Sequence, residues 1–285
     1  MDHATLNWCG ARKATYLIHQ HFRYEYPGPI RDLDHRLMIV PRLRHGDQRR
    51  IVQRVDILPD ARAVLGQDAF GNELALVALP HVEGTLEFEH WSVVERNTSH
   101  GEHRVTAGQL ADPRYRNASK LTRPDAELRE AAQTLRAAHA DPLELANALN
   151  TFVHRTMSYK ADVTDVSTTA AAAFALRRGV CQDYAHVMLA IARTCGLAAR
   201  YVSGHLLGEA GTHAWVEVLI PSGDQALVVA FDPTHGCRTT LGYLVVAVGR
   251  DYADVAPTSG VYSAPYVGRL RARKRVGVSA VEYAA

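Results

Sequence analysis

The chain has 285 residues, 47% hydrophobic, 22% charged and 7% aromatic, and 32 Lys+Arg against 30 Asp+Glu give a formal charge of +2. This composition excludes a disordered chain, a collagen-like fibre and a small disulfide scaffold, and the length allows one large or two medium domains, each with its own core. The near-neutral balance also excludes the strong basic excess of a dedicated nucleic-acid binder, so no nucleic-acid partner is expected.

Residues from about 14 to 95 alternate polar and apolar at the strand period, with turn residues at short intervals. Strands are expected at 14–26, 36–40, 51–58, 63–65, 74–79 and 85–95, and the turn at 68–72 contains Gly71 and Asn72, which tolerate the positive φ of a hairpin. Such a series of short strands suggests a small antiparallel sandwich. Residues 97–123 turn polar and lose periodicity, with Gly101, Gly108 and Pro113 as punctuation, and are expected to be a linker.

The second half begins helical. Residues 125–139 carry apolar side chains at helical spacing. Asp141-Pro142-Leu143-Glu144 then supplies a cap, a first-turn proline and a capping-box acid for a helix running to about 155. An alanine-rich helix at 169–176 stops before Gly179, and Cys181 leads into a helix over 183–195 that Gly196 ends. The period then changes to two, giving strands at 198–206, 213–220, 226–231 and 241–248. Helices followed by an antiparallel sheet make this half α+β. The expected organisation is a β-rich module over 1–96, a linker over 97–123 and a catalytic domain over 124–285. The charged alternation at 269–275 reads as a solvated edge strand.

Four cysteines, Cys9, Cys181, Cys195 and Cys237, form neither a CxxC pair nor a zinc ribbon. The first residues show no uninterrupted apolar h-region, and no segment approaches the ~20 apolar residues of a membrane span. A soluble cytoplasmic protein with reduced thiols and no membrane partner is therefore expected. Fifteen histidines raise the question of a metal. The closest pairs, His19-x-His21 and His100-x-x-His103, lack a neighbouring Cys or acidic set, so neither a metal nor another cofactor is expected.

Cys181 stands at a helix start, where unsatisfied backbone N–H groups favour an anionic sulfur. Cys195 cannot be its disulfide partner, because the intervening helix separates them by ~21 Å. If Ser222-Gly223 is a two-residue hairpin loop, His213 lies directly opposite Asp232, with Cβ atoms ~5 Å apart on one face. The other face of that strand, Ala214, Val216, Val218 and Ile220, is apolar and suited to a core.

Four segments then form a pattern: Arg178-Gly179-Val180-Cys181-Gln182-Asp183-Tyr184-Ala185-His186, Ala199-Arg200-Tyr201-Val202-Ser203-Gly204, Thr212-His213-Ala214-Trp215-Val216-Glu217-Val218 and Phe231-Asp232-Pro233-Thr234. In this order and spacing they resemble the bacterial transglutaminase-like family of papain-like cysteine enzymes. The stretch 246–255 and the β-rich N-terminal half, including the 68–72 turn, extend the resemblance over nearly the whole chain. It is weakest over 97–123 and the last dozen residues. Thr212 stands where Ser is common, and His235-Gly236 where Asn-Gly is usual.

The resemblance implies a β-rich N-terminal region before a papain-like catalytic domain, and a catalytic triad of Cys181, His213 and Asp232. Attack of the sulfur on an amide carbonyl would leave a thioester, which water clears in a hydrolase and an amine clears in an acyltransferase. The expected partner is a peptide or amide-containing substrate, with an amine acceptor in the transferase alternative, either a transglutaminase or an amide synthase. A catalytically silent binding module is the second alternative. No acidic calcium-loop pattern is present. His186 is expected to pack or hydrogen-bond near the site, and His205 to line the cleft. The sequence leaves the second oxyanion donor, the role of the β module and the oligomeric state open.

Overall fold

The computed structural model describes residues 6–8 and 10–283, so Cys9 lies outside the described residues. The N-terminal module is all β, as its alternation predicts. Its strands are β1 (Ala11–Glu25), β2 (Ile30–Leu37), β3 (Arg44–His45), β4 (Gln48–Leu58), β5 (Val64–Gln67), β6 (Glu73–Val82) and β7 (Thr85–Asn97). In β1 the inward positions are Ala14, Tyr16, Ile18, Gln20 and Phe22, the period of two that puts alternate side chains on one face. Phe22, Ile57, Leu86 and Phe88 from one sheet meet Ile30, Leu33, Leu37, Ala75 and Val77 from the other, which makes the sandwich core.

Residues 97–123 are folded rather than a free linker. They contain β8 (Arg104–Thr106), α1 (Ala107–Ala111) and α2 (Pro113–Arg116), with Thr106 and Asp112 as side-chain caps. Val105 is buried, and β8 adds to the sheet of the second half, so a segment without periodicity is held by pairing that only its partner strand reveals.

The second half follows as α3 (Ala126–Ala138), α4 (Pro142–Thr156), β9 (Ser158–Tyr159), α5 (Ala170–Leu176), β10 (Arg178–Gly179), α6 (Cys181–Thr194), β11 (Ala198–Leu206), β12 (His213–Ser222), β13 (Gln225–Asp232), β14 (Cys237–Arg238), β15 (Tyr243–Gly249) and α7 (Tyr252–Val255). The fold is α+β, as expected. Its sheet runs β14-β13-β12-β11-β15, with β8 on β13. Helix α6 is buried over most of its length, its polar Gln182, Asp183, His186 and Arg193 included, with α3, α4 and α5 around it and β11 and β12 beneath.

The domain expected over 124–285 does not run to the end of the described residues. After α7 the chain returns to the first module, where β16 (Thr258–Ser263) pairs with β2 and β17 (Arg269–Tyr283) pairs with β1. The sandwich is thus a five-stranded sheet, β17-β1-β7-β4-β3, against a four-stranded one, β16-β2-β6-β5. The physical reason is that β1 has two edges to satisfy, and Val276 and Val278 of β17 complete an apolar cluster with Tyr16, Ile18 and Leu244. Strand β17 does lie at the sheet edge, with Arg269, Arg271, Arg273 and Arg275 exposed. Lys274 is the exception. It lies 5.5 Å from the Phe22 ring, and burial pulls its amine down to about 8.

Candidate active site

Cys181 is the first residue of α6, and the residues before it fix its position. Asp183, in the first turn, accepts the Val180 N–H at 2.8 Å and the Thr164 hydroxyl at 2.7 Å. A Cβ on Gly179 would collide with that carboxylate, so glycine is required where the chain enters the helix. The parallel pairing of β10 with β9 sets Tyr159 beside the helix start. Burial raises the Tyr159 phenol, and the nearby Cys181 and Glu209 charges add to this.

His213 opens β12, directly across from Gly204 of β11. A Cβ at Gly204 would strike the Leu244 carbonyl and the Trp215 ring, and Trp215 lies under the imidazole with ring centroids 6.2 Å apart. The hairpin differs from expectation: Ser222 pairs with Gln225, so the loop is Gly223-Asp224, with Gly223 at φ +62. Glycine at the first loop position suits a type II′ turn. The register therefore shifts by two residues, and His213 is diagonal to Asp232 rather than opposite it. A shift of two preserves the face, and the diagonal is within side-chain reach.

His213 Nε2 lies 2.7 Å from Asp232 Oδ2. With Asp232 ionised, Nε2–H donates, which leaves Nδ1 for Cys181. Asp232 is fully buried and receives four further contacts. Tyr243 donates its hydroxyl to Oδ2 at 2.7 Å, His235 Nδ1 lies 2.7 Å from the same oxygen, and Oδ1 accepts the N–H groups of Thr234 at 2.8 Å and His235 at 3.2 Å. Burial alone would raise the Asp232 carboxyl. The hydrogen bond and charge of His213, with help from His235 and Tyr243, hold it well below the carboxylate range instead. Burial likewise opposes charge on His213, but hydrogen bonds to Asp232, Cys181 and Glu209 outweigh it and push the imidazole up to about 12.

The structure thus brings Cys181, His213 and Asp232 together. Glu209, absent from the sequence reading, also reaches the site: its Oε2 is 3.1 Å from His213 Nδ1. It lies in the turn between β11 and β12, where no periodicity marks it. Tyr243 was hidden for a similar reason, since it reads as an ordinary strand residue, whereas His235 carried a signal as a departure from the family pattern. His186 is buried and accepts the Tyr252 N–H at 3.1 Å. His205 does not line the cleft: it is buried, its charge neighbours are Lys274 and His90 of the first module, and burial pulls it down to about 3. Cys195 donates to the Ala132 carbonyl at 3.3 Å, and burial pushes its thiol up to about 11.

Among the described residues, two groups of His, Asp and Glu side chains have ligand atoms within 4.8 Å of one another, His213-Asp232-His235 and His45-His103-Glu217. The second is not explained by the sequence pairs. Glu217 accepts from the Arg200 Nε at 2.6 Å through Oε2, and its Oε1 lies 2.7 Å from His45 Nε2, so both oxygens of this buried carboxylate have partners. His19 and His21 instead face Glu89 and Glu87 on β7, at 2.8 and 2.7 Å. Among the described residues, no helix is long and apolar enough to cross a membrane.

A family model of the transglutaminase-like superfamily matches residues 129–233, and one of the bacterial transglutaminase-like N-terminal region matches residues 16–95. An uncharacterized protein of Mycobacterium leprae (strain TN) is 30% identical over 259 residues, 84% of this chain and 90% of that protein. A protein-glutamine gamma-glutamyltransferase of Pseudomonas aeruginosa is 34% identical over 141 residues, 44% of this chain and 21% of the relative. The chain therefore spans about a fifth of that enzyme's length. The crystal structure of a candidate cysteine protease from Cytophaga hutchinsonii aligns with a TM-score of 0.77 at 18% identity, covering 96% of this chain and 93% of that one. That likeness shows a shared fold.

Proposed function

The chain belongs to the transglutaminase-like superfamily, and from that premise we propose that it is a cysteine-dependent enzyme that opens a peptide or amide bond through a thioester on Cys181. His213 acts as the acid-base group and Asp232 as its orienting anion. The observation that carries this reading is the fixed imidazole. His213 Nε2 is held 2.7 Å from a fully buried carboxylate, Nδ1 lies 3.1 Å from Glu209 Oε2, and Cys181, the first residue of α6, is near enough to help raise the imidazole.

The Cys181 sulfur attacks the amide carbonyl, and the carbonyl π pair moves to oxygen. The Cys181 N–H, one of the helix's unsatisfied donors, faces the developing oxyanion. When the C–N bond breaks, His213 Nδ1 gives its proton to the departing amine and a thioester remains. His213, now neutral, takes a proton from the attacking water. The C–S bond breaks, and the electron pair returns to sulfur. Asp232 keeps the ring in one tautomer and supports its charge through each half-reaction.

Incubation with a defined peptide library, with and without a primary amine, followed by mass measurement, tests this. Shortened or deamidated products that the Cys181→Ala variant does not form support the hydrolase. Amine adducts in place of hydrolysis would shift the assignment to an acyltransferase, and an unchanged library in both arms would overturn the reading.

A further inference from the structure

We propose that Glu209 is a specificity residue: its carboxylate forms a cation subsite on the amine side of the reaction centre, selecting amines with a second positive charge close to the reacting nitrogen. This rests on the assignment of Cys181 and His213 as the reacting pair. By microscopic reversibility the same subsite receives the amine that leaves on hydrolysis and any amine that attacks the thioester.

Three observations lead there. The first is position: Glu209 sits in the tight turn joining β11 to β12, its N–H donating to the Leu206 carbonyl at 3.1 Å, and Gly208 at φ +94 lets the chain bend back over the site. The second is geometry: Glu209 Oε2 is 3.1 Å from His213 Nδ1, and Oε1 is 3.8 Å from His235 Nε2. The third is access: the Glu209 side chain is 38% exposed, whereas His213 beneath it is 1% exposed. Tyr159 forms the neighbouring wall, close enough to sense the charges of both Cys181 and Glu209.

For thiol chemistry alone this carboxylate is a hindrance. It competes with Cys181 for the Nδ1 proton and adds negative charge beside the nucleophile. It becomes useful when an ammonium group arrives, because the carboxylate can turn to a stronger partner and release Nδ1. Any amine exchanging a proton with Nδ1 must come within hydrogen-bond range of that nitrogen, and so beside Glu209 as well. A second ammonium a few ångströms from the reacting nitrogen can then pair with the half-exposed carboxylate. The hydrogen bond from His213 and, against it, burial leave the Glu209 carboxyl below its ordinary range, so the anion is available at neutral pH.

In aminolysis, the neutral nitrogen attacks the thioester carbonyl and a C–N bond forms. The C–S bond breaks with its electron pair going to the Cys181 sulfur, and the proton lost by nitrogen passes to neutral His213 Nδ1. Glu209 holds the distal ammonium throughout and exchanges no electrons.

p-Nitrophenyl acetate supplies the test without knowledge of the natural acyl donor. It acetylates Cys181, released p-nitrophenol reports the burst, and product masses report partition of the acetyl group among water, propylamine and 1,3-diaminopropane. In Glu209→Gln the preference for 1,3-diaminopropane over propylamine should fall about 10-fold, as expected for loss of one charge-assisted contact, and Glu209→Asp should restore part of it. An unchanged preference in Glu209→Gln, or no amine product from an acetyl-enzyme that water clears, would overturn the subsite while leaving the triad reading intact. Absence of a burst and of acetylated Cys181 in the unmodified enzyme would overturn that reading, and this proposal with it.

Discussion

The side-chain amide of Asn72 donates to the Val248 carbonyl at 2.7 Å and accepts the Val248 N–H at 2.8 Å, so a residue of the first module stands where a neighbouring strand would. Gln48 does the same at Val245, at 2.7 and 2.8 Å. Strand β15 is the last of its sheet, and these two amides satisfy its buried outer edge. Asp68 holds the turn, accepting from Phe70 N and Asn72 N, each at 2.8 Å, and from the Asn72 amide at 2.8 Å. The 68–72 turn thus matters less for φ at Asn72 than for aiming its side chain.

Asn72→Ala should therefore destabilise the protein by about 2–4 kcal/mol, because it strands two buried backbone groups and one carboxylate oxygen. Urea unfolding checks this, and an unchanged midpoint would show that water replaces the amide at no cost. Since β15 begins with Tyr243, which holds Asp232, the variant should also lower turnover in the fraction that stays folded.

Iodoacetamide under mildly acidic conditions should modify Cys181 well before Cys195 and Cys237. Cys195 is held protonated by burial and bonded to a backbone carbonyl, and Cys237 is an exposed thiol whose sulfur lies 3.7 Å from the Tyr243 hydroxyl. His213→Ala should slow the Cys181 reaction toward that of Cys237. Peptide mapping by mass gives the order, and equal labelling of all three would remove the activated thiol.

Asp232→Asn should lower turnover by roughly 10²–10⁴-fold while the protein remains folded, since an amide no longer selects the imidazole tautomer or stabilises its charge. Tyr243→Phe removes one of several donors to the same carboxylate and should cost about 10-fold. Steady-state rates beside far-UV circular dichroism separate loss of function from loss of fold. Full activity in Asp232→Asn would take it out of the triad.

The His213–Asp232 pair should also shape stability against pH. The imidazole is pushed up from 6.5 to about 12, so its contribution is fully present below 6.5 and is lost as pH rises toward 12. Asp232 is lowered from 3.8, so its contribution is present above 3.8 and is lost as the solution becomes more acidic. The stability advantage of the unmodified protein over His213→Gln should be largest between about 4 and 6.5 and should shrink on the alkaline side, by on the order of 1 kcal/mol per pH unit. Denaturant midpoints across that range measure it, and a pH-independent difference would refute the charged pair.

The α+β class, the positions of the long helices and the strands carrying His213 and Asp232 were legible in the sequence, because period, caps and glycines act over a few residues. Even the wrong hairpin loop kept His213 and Asp232 on one face, since strand period makes a two-residue slip harmless to sidedness. What local rules could not reach was long-range pairing. Residues 104–106 join β13 without any period of their own, and the last strands return to β1 and β2, so the module expected to end at residue 96 needs residues 258–283 to close its edges.

The sequence by itself determined which residue types stand at a helix start and at facing strand ends, because a cap, a turn and an alternation are each written within one segment. Only the tertiary structure decided what surrounds them. Tyr243 on Asp232, Glu209 on His213, and the Gln48 and Asn72 amides on β15 are contacts between segments that share no local rule. Their geometry follows from how the sheets stack, and stacking is settled by burial and edge satisfaction over the whole chain.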